Sequence, residues 1–158
     1  MDRVPMTPEG HAALTTELKH ILEVLRPGIV RDIEEARAHG DISENSEYED
    51  AKHRQSLCEA RMIDLKSKIA RAEVIRIADM PHSDRIVFGT TVHLEDLDSD
   101  EKVVYRIVGV DEADVAQGRI SFPSPVGKAL IGRSVDDEIV VETPRGRRTV
   151  VVVAVEYK

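Results

Sequence analysis

The sequence contains no tryptophan and few aromatic side chains of any kind, since phenylalanine and tyrosine make up 3% of its 158 residues. Pockets for organic substrates are usually lined by such side chains, so an enzyme with a deep substrate pocket is disfavoured. The single cysteine, Cys58, has no partner for an internal disulfide. No stretch approaches the roughly 18 consecutive apolar residues of a membrane-spanning helix, and the first ten residues lack the apolar run of a signal peptide. We therefore expect a cytoplasmic protein.

Charged residues are abundant, at 33%, and they are unevenly distributed. The net charge is -8, and most of the acidity lies in one block. From Asp32 to Asp50 there are eight acidic residues and one basic residue, Arg37. Residues 51–76, which follow, contain seven basic and three acidic residues. An acidic block beside a basic helix suits a partner that presents both cations and phosphates.

The first half of the chain has helical periodicity. Thr7 followed by Pro8 predicts a helix start, with Thr7 as the N-cap and proline at the first helical position. The pair Pro27-Gly28 predicts a kink rather than a full stop. The apolar positions of this first helix are Leu14, Leu18, Ile21, Leu22, Leu25, Ile33 and Ala36.

After Gly40, a second set of positions recurs at alternating spacings of three and four residues, as in a coiled-coil seam. Two helices of about 30 residues separated by so few residues pair as an antiparallel hairpin about 45 Å long. Residues 1–77 are therefore predicted to form a hairpin whose acidic tip lies near residues 40–48. The seam positions are Tyr48, Ala51, Gln55, Cys58, Met62, Leu65, Ile69 and Ala72.

The second half of the chain changes to β-branched runs separated by turn signals, which predicts a small antiparallel sheet over residues 86–158. Residues 78–85 are short, polar and proline-containing, so they are predicted to be a linker. The segment Pro125–Leu130 is predicted to be one short helix that covers a face of the sheet. The fold class is therefore α+β. The predicted strand runs are residues 86–88, 91–94, 103–110, 138–142 and 149–157.

The predicted tip reads Gly40-Asp41-Ile42-Ser43-Glu44-Asn45-Ser46-Glu47-Tyr48. This run resembles the tip signature of bacterial Gre-type transcript cleavage factors, with Ile42 where the family usually has leucine. The resemblance extends into both halves of the chain. Its other matching segments are Arg26-Pro27, Glu35-Ala36-Arg37, Ala51-Lys52, Ser124-Pro125 and Ala129-Leu130-Ile131-Gly132.

The resemblance implies a hairpin that enters the secondary channel of bacterial RNA polymerase, and an FKBP-like sheet domain that docks on the channel's outer rim. It implies a factor, expected to act as a monomer, that stimulates the polymerase's own cleavage of the 3′ end of backtracked RNA and so rescues arrested complexes. The protein itself is then not an enzyme. Within the family, the mild basic character of residues 51–76 and the overall acidity favour an A-type over a B-type member.

The chemistry implied at the tip uses carboxylates. Phosphodiester cleavage needs an activated water and neutralisation of charge on the attacking and leaving oxygens, a task suited to two metal ions. Mg²⁺ prefers oxygen ligands, and one or two carboxylates can recruit it together with the polymerase and RNA phosphates. Asp41 and Glu44, at the positions of the family's catalytic acids, are predicted to recruit Mg²⁺ within the polymerase complex and to orient the attacking water. No cofactor is expected on the isolated protein.

Each tip residue also has a structural interpretation. Asp41 and Glu44 could cap the second helix, and Glu47 could complete a capping box with Glu44 or Ser43. Tyr48 begins the seam and can serve as a packing residue that, with Asn45, supports the tip. In the family the positions of Arg37 and Lys52 are basic and are linked to contact with the RNA 3′ end, but both side chains could instead pair with nearby carboxylates across the hairpin.

Two other functions compete with transcript cleavage. FKBP-like domains also occur in peptidyl-prolyl isomerases, but the isomerase pocket is lined by aromatics that this chain largely lacks. A Gre-like inhibitor would enter the same channel and suppress catalysis; the intact Asp41, Glu44 and Asn45 favour cleavage. The six histidines have no metal-ligand spacing with one another or with Cys58, so a zinc site is not predicted.

Overall fold

The computed structural model describes residues 2–39, 46–144 and 146–158. The chain divides into two compact units, one formed by Met1–Gly10 with Ala72–Lys158 and the other by His11–Arg71. These limits differ from the predicted boundaries at residues 77 and 85. A parallel pairing of strand β1 (Val4–Met6) with strand β2 (Ala72–Val74) joins these two segments to each other, and both belong to the unit that contains the larger sheet.

The helical part contains helices α1 (Pro8–His20), α2 (Arg26–Ala38) and α3 (Ser46–Arg71). Thr7 caps α1 as predicted, because its Oγ1 accepts a hydrogen bond of 3.1 Å from the backbone N–H of Gly10. Pairing of α2 with α3 forms the predicted antiparallel hairpin. Ion pairs cross it from Arg26 to Glu59 at 2.7 Å and from Arg61 to Glu17 at 2.6 Å.

A π-helical turn at Ile21–Leu25 joins α1 to α2, and the helix continues through Pro27. The Arg26 N–H donates to the carbonyl of Ile21, five residues back. Proline has no N–H and its ring would collide with the carbonyl four residues earlier, so a wider turn just before it relieves the conflict. The predicted irregularity is thus a π turn.

The π turn changes which side chains of the first helix are buried. Ile21 is 3% exposed, whereas the neighbouring apolar positions Leu22 and Leu25 are 40% and 45% exposed. One extra residue in a helical turn rotates everything on one side of it by about 100° relative to the other side. Leu22 and Leu25 belong to the predicted apolar series of the first helix, but they lie outside its buried face.

On α3 the predicted seam is largely correct. Its buried members are Ala51, Cys58, Met62 and Leu65, and Leu65 and Ala51 have no exposed surface. Cys58 is a buried free cysteine, as expected for a small packing residue. Burying a leucine of this kind contributes roughly 1.5–3 kcal/mol to the hairpin.

The sheet unit contains a five-stranded sheet in the order β5-β4-β3-β7-β6. Three neighbouring pairs are antiparallel, but β4 and β5 are parallel, so the sheet is mixed rather than wholly antiparallel as predicted. The α+β class is confirmed. The strands are β3 (Thr91–Asp96), β4 (Lys102–Val108), β5 (Arg119–Ser121), β6 (Glu138–Thr143) and β7 (Gly146–Glu156).

Helix α4 (Pro125–Leu130) covers the sheet with the predicted bounds. The Ser124 hydroxyl caps it by accepting from the N–H of Gly127. A side chain at Gly127 would lie 2.3 Å from the carbonyl of Ser121, so this close approach requires glycine. Leu130 is fully buried in a core formed with Ile86, Val92, Leu94, Ile107, Ile139, Val141, Val150 and Val152, against which Val126 and Ala129 pack.

Two predictions for residues 78–88 are revised. Residues 86–88 do not form a strand; Ile86 exchanges hydrogen bonds with the loop after α4, at Arg133 and Gly132. The predicted linker is fixed to the sheet unit, because the Tyr157 hydroxyl donates to the carbonyl of Arg85 at 2.7 Å and lies 3.0 Å from the hydroxyl of Ser83.

Candidate functional site

The predicted site lies where α2 ends and α3 begins. Asp41, Glu44 and Asn45 fall within residues 40–45, outside the described part of the chain. The structure does place the two helix ends from which that segment extends. His39 is the C-cap of α2, with its N–H donating to Ala36, and Ser46 opens α3.

Small side chains let the two helices approach closely beside the tip. Ala36, two residues before the end of α2, is 2% exposed, and Ala51 in α3 is completely buried. A methyl group at each position leaves little side chain between the backbones, so the helices can lie close together here. The same alanines belong to the segments that carry the family resemblance.

Two contacts link the helix ends on either side of the tip segment. The guanidinium carbon of Arg37 lies 5.9 Å from the centre of the Tyr48 ring, within the range of a cation–π contact. The Nδ1 atom of His39 lies 3.5 Å from a carboxylate oxygen of Glu47, which is an ion pair only when the ring is protonated. Arg37, His39 and Glu47 are exposed and Tyr48 is half-buried. Four flanking residues thus meet in two pairs across the hairpin.

Arg54 provides a third link below the tip. Its Nη1 donates to Asp32 on α2 at 2.9 Å, and its Nε donates to Asp50, one turn earlier on α3, at 3.1 Å. The hydrogen bond to Asp32, followed by that to Asp50, raises the pKa of the guanidinium. Two of the eight carboxylates of the acidic block are therefore neutralised at the base of the tip.

Lys52 is exposed on α3, and its ammonium group donates a 3.1 Å hydrogen bond to Oε1 of Gln55. This contact is local to one helix. Arg37 and Lys52, predicted to act as a similar basic pair, therefore differ in environment: the first stacks on an aromatic ring of the other helix, and the second extends over its own helix.

Sequence reasoning missed the roles of Arg54 and His39. The four-residue spacing of Asp50 and Arg54 is a helical ion-pair signal that could have indicated the first contact. The pairing of Arg54 with Asp32 depends on the register of the hairpin, which the sequence pattern alone did not give. No spacing or composition signal in the sequence singled out His39.

A second surface of interest lies on the sheet unit. A cavity of about 390 Å³ opens there beside α4 and β5. Apart from Tyr105 its apolar lining is aliphatic, and Val115 at its edge is 67% exposed. The lining residues are Tyr105, Ala113, Val115, Ile120, Ser121, Ser124, Pro125, Val126, Glu142, Thr143 and Pro144.

Within the described ranges, no three histidine, cysteine, aspartate or glutamate side chains converge on a point that could bind a metal ion. The candidate Mg²⁺ ligands, Asp41 and Glu44, lie outside those ranges. In the same part of the chain, no helix is both long enough and apolar enough to cross a bilayer.

Comparison with known families shows two matches that together span nearly the whole chain. Residues 4–74 match the family described as "Transcription elongation factor, N-terminal", and residues 80–157 match "Transcription elongation factor, GreA/GreB, C-term". The gap between the matches, residues 75–79, lies close to the boundary of the helical unit at residue 71.

Individual proteins agree with these matches. The chain is 53% identical over 154 residues to transcription elongation factor GreA of Syntrophotalea carbinolica, covering 98% of this chain and 97% of that protein. It is 50% identical to GreA of Hyphomonas neptunium over the full length of both. Among solved structures, GreA factor homolog 1 of Thermus thermophilus is 31% identical, with 98% and 99% of the two chains covered and a TM-score of 0.45.

Proposed function

The chain belongs to the GreA/GreB family of transcription elongation factors, and from this premise we propose that it binds bacterial RNA polymerase and stimulates cleavage of backtracked RNA. One observation carries the proposal: in the sequence, an acidic segment with the family's tip signature connects α2 to α3, the two helices of the hairpin. The hairpin reaches the polymerase's active centre through the secondary channel. There the acidic segment acts on the 3′ end of the RNA, which rescues arrested complexes.

Asp41 and Glu44 supply the acidic groups, and the polymerase supplies the hydrolytic site. The two carboxylates fit Mg²⁺ by their chemistry, because this ion prefers oxygen ligands and is commonly bound through one or two carboxylates. When bound, Mg²⁺ shared with the polymerase supplies activation of water and neutralisation of charge on the phosphate. The protein alone is then neither an enzyme nor a strong metal binder.

The flanking residues support this segment. Tyr48 and Glu47 on α3 contact Arg37 and His39 on α2, which limits the separation of the segment's two ends. Asn45 lies within the segment. Lys52 extends from the exposed surface of α3, where its charge can attract the phosphates of the RNA.

The sheet unit provides the surface that docks on the polymerase. The cavity beside α4 has a mainly aliphatic lining, and its edge residue Val115 is exposed, an arrangement that suits an apolar side chain of a protein partner. The nearly aliphatic lining also argues against isomerase chemistry, which would use an aromatic pocket. The factor acts as a monomer in the cytoplasm, where its polymerase partner lies.

The test is RNA cleavage in a purified, backtracked bacterial elongation complex with Mg²⁺. The reactions contain no factor, the wild-type protein, the Asp41→Ala/Glu44→Ala variant, or Glu34→Ala, which removes an exposed carboxylate from α2 as a matched control. We expect the wild type and Glu34→Ala to shorten the transcript from its 3′ end, and the double variant to bind polymerase without stimulating cleavage.

Other outcomes would lead to different functions. If the wild type and the double variant both slow synthesis without cleavage, the protein is an inhibitor of the polymerase. If neither has an effect, the acidic residues are structural. Cleavage of RNA by the wild type in the absence of polymerase would contradict the assignment of hydrolysis to the polymerase.

A further inference from the structure

A groove with a volume of about 500 Å³ runs between the helices of the hairpin, wholly within the helical unit. Ile21 and Cys58 line its floor and are almost completely buried. Val24, Leu25 and Leu57 line its edges and are 54%, 45% and 59% exposed. Exposed apolar side chains gathered around a hollow are typical of a surface that another protein covers. We call this surface the hairpin groove.

The irregular turn of the first helix explains why the hairpin groove exists. Val24 and Leu25 belong to the π-helical turn, which leaves both side chains exposed instead of buried between the helices. Gly28 lines the hollow without a side chain, and a Cβ atom added there would meet only the side chain of Arg31 within 4 Å. The hairpin groove therefore stays open because of residues next to Pro27.

An ion pair lies at each end of the hairpin groove. Arg61 donates from two nitrogens to the Glu17 carboxylate, at 2.6 and 2.8 Å. Arg54 donates to Asp32 at 2.9 Å. The two arginines are seven residues apart, so they lie on the same side of α3 and are separated by two turns, or about 10 Å.

These ion pairs give the hairpin groove two walls of opposite charge. Both guanidinium groups, of Arg54 and Arg61, belong to α3. Both carboxylates belong to the opposite helix, Glu17 to α1 and Asp32 to α2. A partner that fits must therefore present apolar side chains in the middle and the reverse order of charge at its sides.

We propose that the hairpin groove is an interface between two copies of the protein. A second copy offers both features that the groove requires. Its Leu57 and Val24 are exposed apolar side chains beside a hollow, so each copy can insert side chains into the other, as in a contact between identical surfaces. Its charged walls are the same two walls.

The charges also determine the direction of the two-fold axis. With the axis along the groove, α3 of one copy lies over the first helix of the other, and each positive wall faces a negative wall. Arg61 then meets Glu17 of the second copy at the same end of the groove. With the axis across the groove, positive would face positive, which is unfavourable. The hairpins of the dimer therefore point in the same direction.

The monomer of the proposed function is then in equilibrium with this dimer. The proposed function assigns no role to the hairpin groove, and the dimer can be measured without polymerase. Contacts of this small size belong to the weak and transient class, so we expect a dissociation constant on the order of 100 µM.

The first experiment is sedimentation equilibrium of the full-length protein, from about tenfold below to about tenfold above that concentration. We expect Leu57→Lys to raise the dissociation constant of the dimer about tenfold or more, because its ammonium group would be desolvated at the interface. Ile63→Lys is the matched control. Ile63 also lies on α3 and is 65% exposed, but it does not line the groove, so this variant should dimerise like the wild type.

The second experiment tests the direction of the axis with the Glu17→Arg/Arg61→Glu variant, which keeps an ion pair at one end of the groove but exchanges its charges. Each protein should still dimerise with itself. In a mixed dimer with the wild type, however, like charges would meet at that end. Energy transfer between labelled copies should therefore show fewer mixed dimers than the half that random pairing of equal amounts gives.

The proposal is overturned if the wild type stays monomeric over the whole range. If Leu57→Lys then weakens polymerase binding while Ile63→Lys does not, the hairpin groove binds the polymerase instead. A dimer that Leu57→Lys leaves unchanged would also refute this interface. Mixed dimers that make up half of the total or more would contradict an axis along the groove. None of these results depends on whether the protein stimulates RNA cleavage, so the two proposals succeed or fail separately.

Discussion

The carboxylate of Glu112 binds Thr7 at both its backbone N–H and its hydroxyl, although 105 residues separate them in the chain. Its Oε2 accepts from the Thr7 N–H at 3.0 Å and from the Gly109 N–H at 2.8 Å, and its Oε1 accepts from the Thr7 hydroxyl. That hydroxyl in turn accepts from the Gly10 N–H. One side chain of the sheet unit thus fixes the N-cap of α1.

Glu112→Ala should destabilise the protein. The substitution leaves the N–H groups of Thr7 and Gly109 without their acceptor, and both residues are buried. A buried donor that loses its partner costs about 1–3 kcal/mol in free energy of unfolding. Urea unfolding measures the change, and Glu101→Ala, at an exposed turn position, is the control. A loss equal to that of the control would show that water replaces the carboxylate.

The effect of Gly10→Ala on stability should have opposite signs in the wild type and in a Glu112→Ala background. In the wild type the added methyl group would lie 2.1 Å from the Glu112 carboxylate, which must move and give up its hydrogen bonds, so the variant is destabilised. In a Glu112→Ala background the obstacle is absent, and alanine in place of glycine should stabilise α1 by up to about 1 kcal/mol. Thermal unfolding of the four proteins measures both effects. The same sign in both backgrounds would contradict this explanation.

Glu17 should make stability depend on pH. The hydrogen bond from Arg61 lowers the pKa of the Glu17 carboxyl from its ordinary value of 4.5. Because the folded-state pKa is lowered, the stabilisation is present above pH 4.5 and is lost as the pH falls through the lowered pKa. The side chain is 41% exposed, so solvent screening limits the effect to about 0.2–1 kcal/mol.

The measurement is urea unfolding of the wild type and Glu17→Gln at steps from pH 7 to pH 3. We expect the wild type to be more stable at pH 7 and the difference to shrink on acidification. Glu34→Gln, which removes an exposed carboxylate from α2, is the matched control. A difference between Glu17→Gln and the wild type that stays constant with pH would show that the ion pair does not cause it.

Val115→Lys should weaken polymerase binding. Val115 is the exposed edge of the apolar cavity on the sheet unit, and a charge there would have to be desolvated against the partner. We expect the dissociation constant to rise about tenfold or more, measured by fluorescence anisotropy with labelled factor. Val153→Lys changes an equally apolar residue, 50% exposed on β7, outside the cavity lining. Equal effects of the two substitutions would show that the polymerase binds a different surface of the protein.

Much of the fold was predictable from local patterns. The N-cap Thr7, the α3 seam and the bounds of α4 each depend on residues within a few positions of one another. Such signals lie within short stretches of sequence, because capping and helical periodicity are local properties. The signature around Asp41 likewise indicated the family, which the comparisons confirm, and it predicts the site.

The remaining features depend on contacts that are distant in sequence. The π turn leaves Leu22 and Leu25 exposed, and no spacing rule signals where an extra residue enters a helical turn. The parallel pairing of β5 with β4 and the contact of Glu112 with Thr7 follow from tertiary arrangement. The stacking of Arg37 on Tyr48 likewise requires the hairpin register, which determines which side chains meet across it.

The pairing of β1 with β2 has a consequence for synthesis of the protein on the ribosome. Met6 is completely buried once Val4–Met6 lie beside Ala72–Val74, and Thr7 is bound only after Glu112 has been made. At about 5–20 residues per second, the nascent segment Val4–Thr7 waits on the order of ten seconds for that partner. Until then this segment is accessible to chaperones, so a stretch of chain that is made well before its partners reaches its native contacts late.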